Sequence, residues 1–435
     1  MFTVTLFELM SGVGCGWLSP TLNSLRNSNS SFSLNVEQCS WIASLHYIGR
    51  IIGPLISIPL VDKIGRNNLL ILSSFILFSV WIVVWLTRSV SLLYGIRFVF
   101  GIAVGILDTI VPIYISENTS PSIRGTFNSL AIAFFFMGEL FSFTIITYVE
   151  YNTVAIIHSA ITFVICLSLF FLKEPAQFLI LKGQHRKAEE HFFWLRGCDT
   201  DAKKEFEDIK LYLSEQESKF SFELLKNKEN CRCLRVTLIA NILIFSTGFP
   251  AINTLVSLAF SSSETLTSNE LTILLGFFQF LSACLSSYII DKFGRRPLLI
   301  IAAGVTIIIH ALTASLYYTE EHIEKLPFFA WLIFISITMY AIIFAISMLP
   351  LSAIIRGEIL PQNTKALGSS LGVIFSSVVS FIVSKVFLLI SDSYGIYTNF
   401  FFFSLTSFIL AVYVYMDMPE TKGMTLVDIQ KSFRK

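Results

Sequence analysis

Long runs of apolar residues, separated by short polar stretches, follow one another along most of the chain. A helix needs about 20 apolar residues to cross a hydrocarbon core of about 30 Å at 1.5 Å per residue. Twelve runs of this kind predict an all-α membrane protein with twelve transmembrane helices, which we number as spans 1 to 12. The predicted spans cover residues 2–22, 41–61, 68–86, 92–115, 126–149, 154–172, 234–260, 271–290, 298–318, 328–353, 367–390 and 397–416.

One long polar segment interrupts this pattern after the sixth run. Residues 173–233 are rich in Lys and Glu and carry apolar residues at helical spacing, which predicts short amphipathic helices beneath the membrane. Because six runs lie on either side, we expect two six-helix bundles, an amino-terminal one at 1–172 and a carboxy-terminal one at 234–416. Residues 417–435 would form a tail on the same side of the membrane as this linker.

The composition agrees with a membrane protein and argues against several other classes. Hydrophobic residues make up 54% of the 435 residues and charged residues 14%, whereas a soluble domain has roughly 25% charged residues. The net charge of +1 gives no reason to expect a nucleic-acid partner. The sequence shows no Ser-His-Asp set, phosphate-binding loop or metal-ligand spacing, so we expect no enzymatic activity, no cofactor and no metal site. The expected partners are a small-molecule substrate and the lipid bilayer, with no obligate protein partner.

Basic residues are distributed unevenly between the predicted loops. With the amino terminus in the cytoplasm, the inner loops and the tail hold about 25 of the 31 Lys and Arg residues. The outer loops hold only Arg26, Arg88, Arg97 and Lys325, with Arg97 at the mouth of span 4. This asymmetry predicts a multi-pass protein of the plasma membrane with both termini in the cytoplasm. The sequon at Asn29 falls in the first outer loop, where we expect a glycan.

A charged cluster occurs twice, once in each half. VDKIGRN lies between spans 2 and 3, and IDKFGRR lies between spans 8 and 9. After span 4 of each half, an acid precedes a base by seven residues, as Glu117 precedes Arg124 and Glu358 precedes Lys365. Helix ends expose unpaired backbone groups and a partial charge. We therefore expect the Gly to allow a tight turn, the Asp to approach a helix N-terminus and the Arg residues to reach carboxylates.

These clusters suggest a latch that holds the inner ends of the two halves together when the protein is open to the outside. The alternative is that basic turns only keep these loops on the inner side. The predicted latch residues are Asp62, Gly65, Arg66, Glu117, Arg124, Asp291, Gly294, Arg295, Arg296, Glu358 and Lys365.

The charged residues inside predicted spans include Glu8, Arg50, Asp108 and Glu139. A charge at membrane depth costs at least about 2.5 kcal/mol on insertion scales, so it is normally paired or lies in a wet cavity. We expect Arg50 to pair with Asp108 or Glu139. A structural ion pair and a role in proton coupling or charged-substrate recognition both remain open.

Span 7 contains Gly248 and Pro250, which predict a broken helix. A break at membrane depth lines a cavity or is buried within protein. Three residues further on, Asn253 could either bind a substrate or bond to backbone groups that Pro250 leaves unpaired.

Several motifs together resemble a known family over nearly the whole chain. They read GWLSP, SWIASL, DKIGRN, RFVFGIAVG, PIYISE, GFFQF, DKFGRR, GEILP, SFIVSK and PETKG. The sequence is similar to the sugar porter branch of the major facilitator superfamily, and within it to the insect facilitated trehalose transporters. The resemblance implies twelve helices around a central site. It also implies facilitative, downhill transport of a small neutral solute, such as trehalose or glucose, by alternating access without a cofactor.

The chain departs from the family pattern in the predicted pocket. The family's span 7 usually reads Gln-Gln-x-Ser-Gly-Ile-Asn, and IFSTGFP stands here, so Ile244 and Phe245 replace both amides. The Gln of many members' span 5 is Ile132, and span 10 keeps Pro350, a third candidate for a helix break. The residues expected at the substrate site are Gln279, which matches the family's sugar contact, together with Asn253, Thr247 and Trp17.

This altered pocket leaves alternatives open. One is a non-transporting nutrient sensor or vestigial paralogue that keeps the scaffold. Another is a transporter of a different, less polar solute. The acid that sugar–proton symporters carry in span 1 has no match in GVGCGWLSP, which argues against proton coupling.

Overall fold

The chain folds into two bundles of membrane-spanning helices. The computed structural model describes residues 2–27, 34–87, 89–119, 121–197, 203–204, 206–207, 209–211, 228–260, 266–323, 327–360 and 365–422. Eleven helices in these ranges are long and apolar enough to cross a membrane. Span 1 consists of two shorter helices, Phe2–Gly16 and Leu18–Asn27, and completes the predicted set of twelve.

The remaining spans, except span 6, are longer than the sequence predicted. They are Val36–Ile64 (span 2), Arg66–Leu86 (span 3), Val90–Asn118 (span 4), Pro121–Tyr148 (span 5), Tyr151–Ser168 (span 6), Lys228–Ser246 with Phe249–Ala259 (span 7), Ser268–Phe293 (span 8), Arg295–His322 (span 9), Pro327–Ile343 with Leu349–Ile359 (span 10), Lys365–Tyr394 (span 11) and Ile396–Asp417 (span 12).

The packing of the helices repeats between the two halves. In the first half, span 1 packs on span 5, span 2 on span 4, and span 3 on spans 4 and 6. In the second half, span 7 packs on span 11, span 8 on span 10, and span 9 on spans 10 and 12, which is the same pattern six spans later. The halves meet where span 2 packs on span 11, span 5 on span 8, and the second helix of span 1 on the second helix of span 7. The predicted fold of two six-helix bundles is confirmed.

Three spans are interrupted, and each interruption lies shortly before a proline. The first helix of span 1 ends at Gly16, four residues before Pro20, and the first helix of span 7 ends at Ser246, four residues before Pro250. In span 10, the segment Phe344–Met348 is a π-helix and directly precedes the turn that contains Pro350. Proline has no N–H to donate to the carbonyl four residues earlier, which favours an interruption at these points, whereas Pro54, Pro59 and Pro112 lie inside the continuous helices of spans 2 and 4.

The linker adds a small layer on one face of the bundles, which we call the inner side. Its helices Ala176–Leu181 and His185–Arg196 pack against each other and share a separate apolar core. The predicted amphipathic helices are therefore present. Span 7 begins at Lys228, earlier than the predicted residue 234, because its first turns continue below the apolar run.

Candidate functional site

A network of charges holds the inner end of the amino-terminal half. Arg66 begins span 3, and its guanidinium donates to the Glu117 carboxylate of span 4 at 2.8 to 3.2 Å. Its Nη1 also donates to Asp62 Oδ1, in the last turn of span 2, at 2.9 Å. The Arg66 and Glu117 side chains are only 7% and 10% exposed, so this pair is largely removed from water and forms a forked, charge-assisted contact. The network ties spans 2, 3 and 4 to one another.

A carboxylate from the linker caps span 3. Glu174 accepts hydrogen bonds from the backbone N–H groups of Arg66 and Asn67, both at 3.1 Å. These N–H groups have no partner within their own helix, and the helix N-terminus attracts negative charge. A Cβ on Gly65 would lie 2.3 Å from Glu174 Oε1, so the close approach of this carboxylate requires glycine.

The carboxy-terminal half repeats the arrangement. Arg295 Nη2 donates to Glu358 Oε1 at 2.9 Å, and Glu358 Oε2 accepts a hydrogen bond from Thr421 Oγ1. Glu420 accepts from the backbone N–H groups of Arg295 and Arg296, each at 3.1 Å, and thereby caps span 9. The internal repeat therefore extends from helix packing to individual hydrogen bonds.

The two capping carboxylates differ in their electrostatics. Burial raises the pKa of Glu174, and the hydrogen bonds from backbone N–H groups offset this only in part. Burial acts on Glu420 as well, but four backbone N–H groups bond to its carboxylate and leave the pKa of Glu420 below its ordinary value. Glu420 is therefore the better-stabilised anion of the two.

The latch hypothesis stays a prediction, because the latch is expected to hold only when the protein is open to the outside, and the halves here are joined on the side opposite the linker. The described hydrogen bonds of Arg66, Arg295 and Arg296 lie within one half. Arg296 Nη2, for example, donates to the carbonyl of Tyr415 in span 12. The turns between spans 2 and 3 and between spans 8 and 9 lie beside carboxylates of their own bundle. Arg66 and Arg295 therefore pair with Glu117 and Glu358 of the same half. The side chains of Arg124, Asp291 and Lys365, like Asn29, lie outside the described residues.

Three polar side chains meet at the boundary between the halves. Asn253 Nδ2, in span 7, donates to Glu139 Oε1 in span 5 at 2.5 Å. Gln279 Nε2, in span 8, donates to Asn253 Oδ1 at 3.5 Å. All three side chains are buried, at 5% exposure or less. Asn253 therefore bonds across the halves rather than to the backbone near Pro250. We call these residues the central trio.

Aromatic rings pack around span 7 next to Asn253. Phe249 stacks on Phe344 of the π segment with ring centroids 3.9 Å apart, and it meets Phe136 of span 5 edge-on. Phe245, which stands in place of one of the family's glutamines, also contacts Phe344. The region thus combines a few polar groups with apolar walls, as small-molecule sites usually do.

Thr247 lies at the break in span 7 and serves the helix itself. Its Oγ1 exchanges a hydrogen bond with the Tyr340 hydroxyl at 2.9 Å, and its carbonyl accepts from His310 Nε2 at 3.0 Å. Thr406 Oγ1 donates to the carbonyl of Ser246 at 3.0 Å. Side chains of spans 9 and 12 thus satisfy carbonyls that the interrupted helix leaves unpaired. The structure ties Thr247 to the carboxy-terminal half rather than to the central trio.

Trp17 also lies apart from the central trio, inside the amino-terminal half. Its ring packs edge-on against Trp81 and at a tilt against Tyr151. Arg97 is close by and only 2% exposed. It donates to the carbonyls of Gly14 at 3.1 Å and of Ile42 at 3.3 Å. The assignment of Arg97 to the outer loops is therefore wrong, because backbone carbonyls of spans 1 and 2 accept hydrogen bonds from its Nε and Nη1 inside the bundle. Its Nη2 has no hydrogen-bond partner among the described residues.

The remaining intramembrane charges form a second group. Arg50 Nε and Asp108 Oδ2 are 2.5 Å apart, with side chains 19% and 18% exposed, which confirms one of the two predicted pairings. Glu8 and Arg356 lie close enough to this pair for their charges to interact. Arg356 Nη1 donates to Asn241 Oδ1 at 3.2 Å in its own half. The group therefore contains acids and an arginine of the amino-terminal half together with one arginine of the carboxy-terminal half.

Hydrogen bonds join the two halves on the side opposite the linker, which we call the outer side. Ser19 Oγ accepts from the backbone N–H of Ser257 at 2.9 Å, and Asn23 Nδ2 donates to Asn269 Oδ1 at 3.1 Å. Lys385 Nζ donates to Ser40 Oγ at 2.8 Å and lies over the ring of Trp41. The passage between the halves is therefore closed toward the outer side.

The sequence matches the family described as "Sugar (and other) transporter" over residues 2–433. The chain belongs to this transporter family. Relatives named facilitated trehalose transporter are 26% identical in Apis mellifera ligustica and in Drosophila pseudoobscura pseudoobscura, in both cases over 99% of this chain. The chain spans 86% of the honeybee protein and 50% of the fly protein.

Solved structures of sugar transporters share this fold. The proton:xylose symporter XylE bound to 6-bromo-6-deoxy-D-glucose superposes with a TM-score of 0.79 at 20% identity, covering 99% of this chain and 98% of that one. The partially occluded, inward-open form of XylE from E. coli gives 0.80 at 20% identity, covering 98% of each chain. At this identity the likeness establishes the fold alone.

The sequence analysis did not predict a functional or structural role for three residues that the structure places in polar networks. Glu174 and Glu420 cap spans 3 and 9, and their signal was an acid at the same place after span 6 of each half, in KEP and in PETKG. Arg356 was counted with a loop because span 10 was predicted to end at residue 353, whereas its last helix continues to Ile359.

Proposed function

We propose that this protein carries a small neutral solute, a sugar such as trehalose or glucose, down its gradient across the plasma membrane by alternating access. The proposed orientation has both termini in the cytoplasm, so that the linker side faces the cytoplasm. No cofactor or energy source is part of the proposal.

The observation that carries the proposal is the central trio. A buried polar group without a hydrogen-bond partner costs about 1–3 kcal/mol. Glu139 Oε2 and Gln279 Oε1 both lack a partner among the described residues and are shielded from solvent. A site between the two halves that presents several hydrogen-bonding groups, beside aromatic walls, suits a solute with many hydroxyl groups.

The rest of the molecule supports a moving carrier. The outer side is closed through contacts between spans 1 and 7, 2 and 11, and 8 and the end of span 1, whereas the inner networks hold each half together separately. Each half can therefore rock as one body while the contacts between halves exchange. In this proposal the inner networks keep the helix ends of each half rigid, and the central trio lies where the halves pivot.

The test is uptake of radiolabelled trehalose and glucose into oocytes, normalised to the amount of protein at the cell surface. We expect saturable uptake that external pH does not change. Gln279→Ala should lower sugar uptake by about tenfold or more, because it removes one amide partner of the site. Gln184→Ala is the matched control, because Gln184 is exposed at the start of a linker helix and makes no side-chain cap there. If the wild type shows saturable uptake and Gln279→Ala takes up sugar at the same rate, Gln279 does not contribute to substrate binding.

A further inference from the structure

Glu139 is held in a fixed position by close packing between spans 1 and 5. A Cβ on Gly12 would lie 1.9 Å from the carbonyl oxygen of Phe135, and a Cβ on Gly16 would lie 2.8 Å from Cα of Glu139. Glycines at both positions let the two backbones touch. The carboxyl group of Glu139 therefore projects from a backbone that has little freedom to move away from the boundary between the halves.

The hydrogen-bonding capacity of the central trio is only partly used. The side-chain amide of Asn253 donates a hydrogen bond to Glu139 Oε1. The carbonyl oxygen of the Asn253 side chain accepts one from Gln279 Nε2. Glu139 Oε2 and Gln279 Oε1 have no partner within the described chain, although Glu139 is 0% and Gln279 1% exposed. With Glu139 ionised, both unused atoms are acceptors. The trio thus lacks donors.

A carbohydrate would supply the missing donors. Each hydroxyl of a sugar offers one O–H, and the two oxygens of a carboxylate can accept from neighbouring hydroxyls at once. Hydrogen bonds to an ionised acceptor are roughly twice as strong as neutral ones. The same carboxylate would repel a solute that offers only acceptors, because its lone pairs would face lone pairs.

We propose that Glu139 is a substrate-binding residue whose carboxylate accepts hydrogen bonds from sugar hydroxyls, together with Gln279 Oε1. This inference rests on the proposed function and names the third ligand of the same site. Glu139 then sets specificity for solutes with free hydroxyl donors at the position it contacts. In the structure, Asn253 bonds to one oxygen of Glu139, and in this proposal the sugar binds to the other.

The experiment measures how strongly deoxy and O-methyl analogues of the transported sugar compete with its uptake, in the wild type, in Glu139→Gln and in Glu150→Gln. Glu150 is the matched control because it is exposed before span 6 and makes no side-chain cap. We expect at least one deoxy analogue to compete about tenfold more weakly than the parent sugar in the wild type and in Glu150→Gln. In Glu139→Gln this ratio should fall to about threefold or less, with weaker competition by the parent sugar.

The ratio between the parent sugar and its deoxy analogue distinguishes direct contact of Glu139 with the sugar from a structural role. A distorted site would weaken competition by the parent sugar and by every analogue to the same extent. Unchanged analogue ratios in Glu139→Gln would overturn the proposal. A pH-dependent wild-type uptake that becomes pH-independent in Glu139→Gln, with unchanged ratios, would assign Glu139 to proton binding instead and would also overturn it. A wild type that takes up no sugar contradicts the proposed function, whereas wild-type uptake with unchanged ratios contradicts only this inference.

A second measurement uses only the wild type and tests the proposal even if Glu139→Gln does not reach the cell surface. Carbodiimide labelling of the wild type, read by mass spectrometry, should slow at Glu139 when the sugar is saturating and stay unchanged at Glu150. Equal labelling of Glu139 with and without sugar would contradict direct contact.

Discussion

Gly65 and Gly294 hold equivalent turns of the two halves in a backbone conformation that is almost restricted to glycine. Their φ and ψ angles are 100° and 163° for Gly65, and 90° and 168° for Gly294. A Cβ would lie 2.3 Å from Glu174 Oε1 at the first position and 3.1 Å from Glu420 Oε2 at the second. The turn and the cap thus depend on each other, and the dependence is tighter in the amino-terminal half.

Alanine at either glycine should destabilise the protein by about 1–3 kcal/mol through backbone strain. Gly65→Ala should cost more than Gly294→Ala, because its Cβ overlaps the capping carboxylate. Melting temperatures of the purified variants in detergent check the order. Gly125→Ala is the control, since a Cβ there meets nothing within 4 Å. Equal melting temperatures for Gly65→Ala and Gly125→Ala would contradict the proposed cap.

Removing one member of the Arg50–Asp108 pair should leave an uncompensated charge inside the bundle. Arg50→Ala and Asp108→Ala should each lower the melting temperature and the amount at the cell surface. The loss of melting temperature in the double variant should be smaller than the sum of the losses in the two single variants. The exposed pair Arg186–Glu190 is the control, at 93% and 61% exposure, and its double-mutant cycle should be close to additive. An additive Arg50–Asp108 cycle would show that the two charges are not coupled.

Some of these residues could be predicted from sequence, and others could not. The Arg50–Asp108 pairing followed from the cost of a lone charge at membrane depth. The partner of Glu139 did not, because Asn253 belongs to the other half, and the apolar pattern carries no information on how the halves face each other. Trp17 and Thr247 were expected at the substrate site, yet their described contacts lie within a single half.

At the scale of elements, the interruptions of spans 1, 7 and 10 have one common cause. Each lies shortly before a proline, where the missing N–H leaves a carbonyl without its helical partner, whereas Pro54, Pro59 and Pro112 lie inside continuous helices. The sequence analysis predicted the breaks from Pro250 and Pro350, which both proved to follow an interruption. It missed the break at Trp17 because Pro20 was not considered, although it offered the same signal.

His310 should stabilise the break in span 7 by donating to the carbonyl of Thr247. His310→Phe keeps a ring against Tyr340 but removes the donor, so we expect a loss of about 1–3 kcal/mol and a lower melting temperature. His322→Phe is the matched control, because His322 is exposed near the end of span 9. If both variants melt at the same temperature, the hydrogen bond to Thr247 contributes nothing measurable.

At the scale of the whole molecule, the fold could be predicted and the conformational state could not. Twelve apolar runs and a duplicated charged cluster determine two similar bundles. Both states of an alternating-access protein bury largely the same helix faces, so the pattern does not distinguish them. The closed outer side became visible only through contacts such as that between Ser19 and Ser257.

A disulfide across this contact should hold the protein closed toward the outside. The double variant Ser19→Cys/Ser257→Cys should lose most uptake after mild oxidation and regain it after reduction, because the outer side can no longer open. Each single variant should keep its uptake under oxidation. Full uptake by the oxidised double variant, with the cross-link verified by mass spectrometry, would show that these helices need not separate during transport.

The central claim, that a sugar moves through this protein by alternating access, is tested most directly by exchange in proteoliposomes. Purified protein is reconstituted, and uptake of radiolabelled trehalose is compared between empty vesicles and vesicles that contain unlabelled trehalose. The account predicts saturable uptake that is faster into the loaded vesicles, because a loaded carrier returns across the membrane with its sugar. Saturable binding of trehalose without accumulation in either kind of vesicle would contradict the account and favour a sensor that keeps the transporter fold.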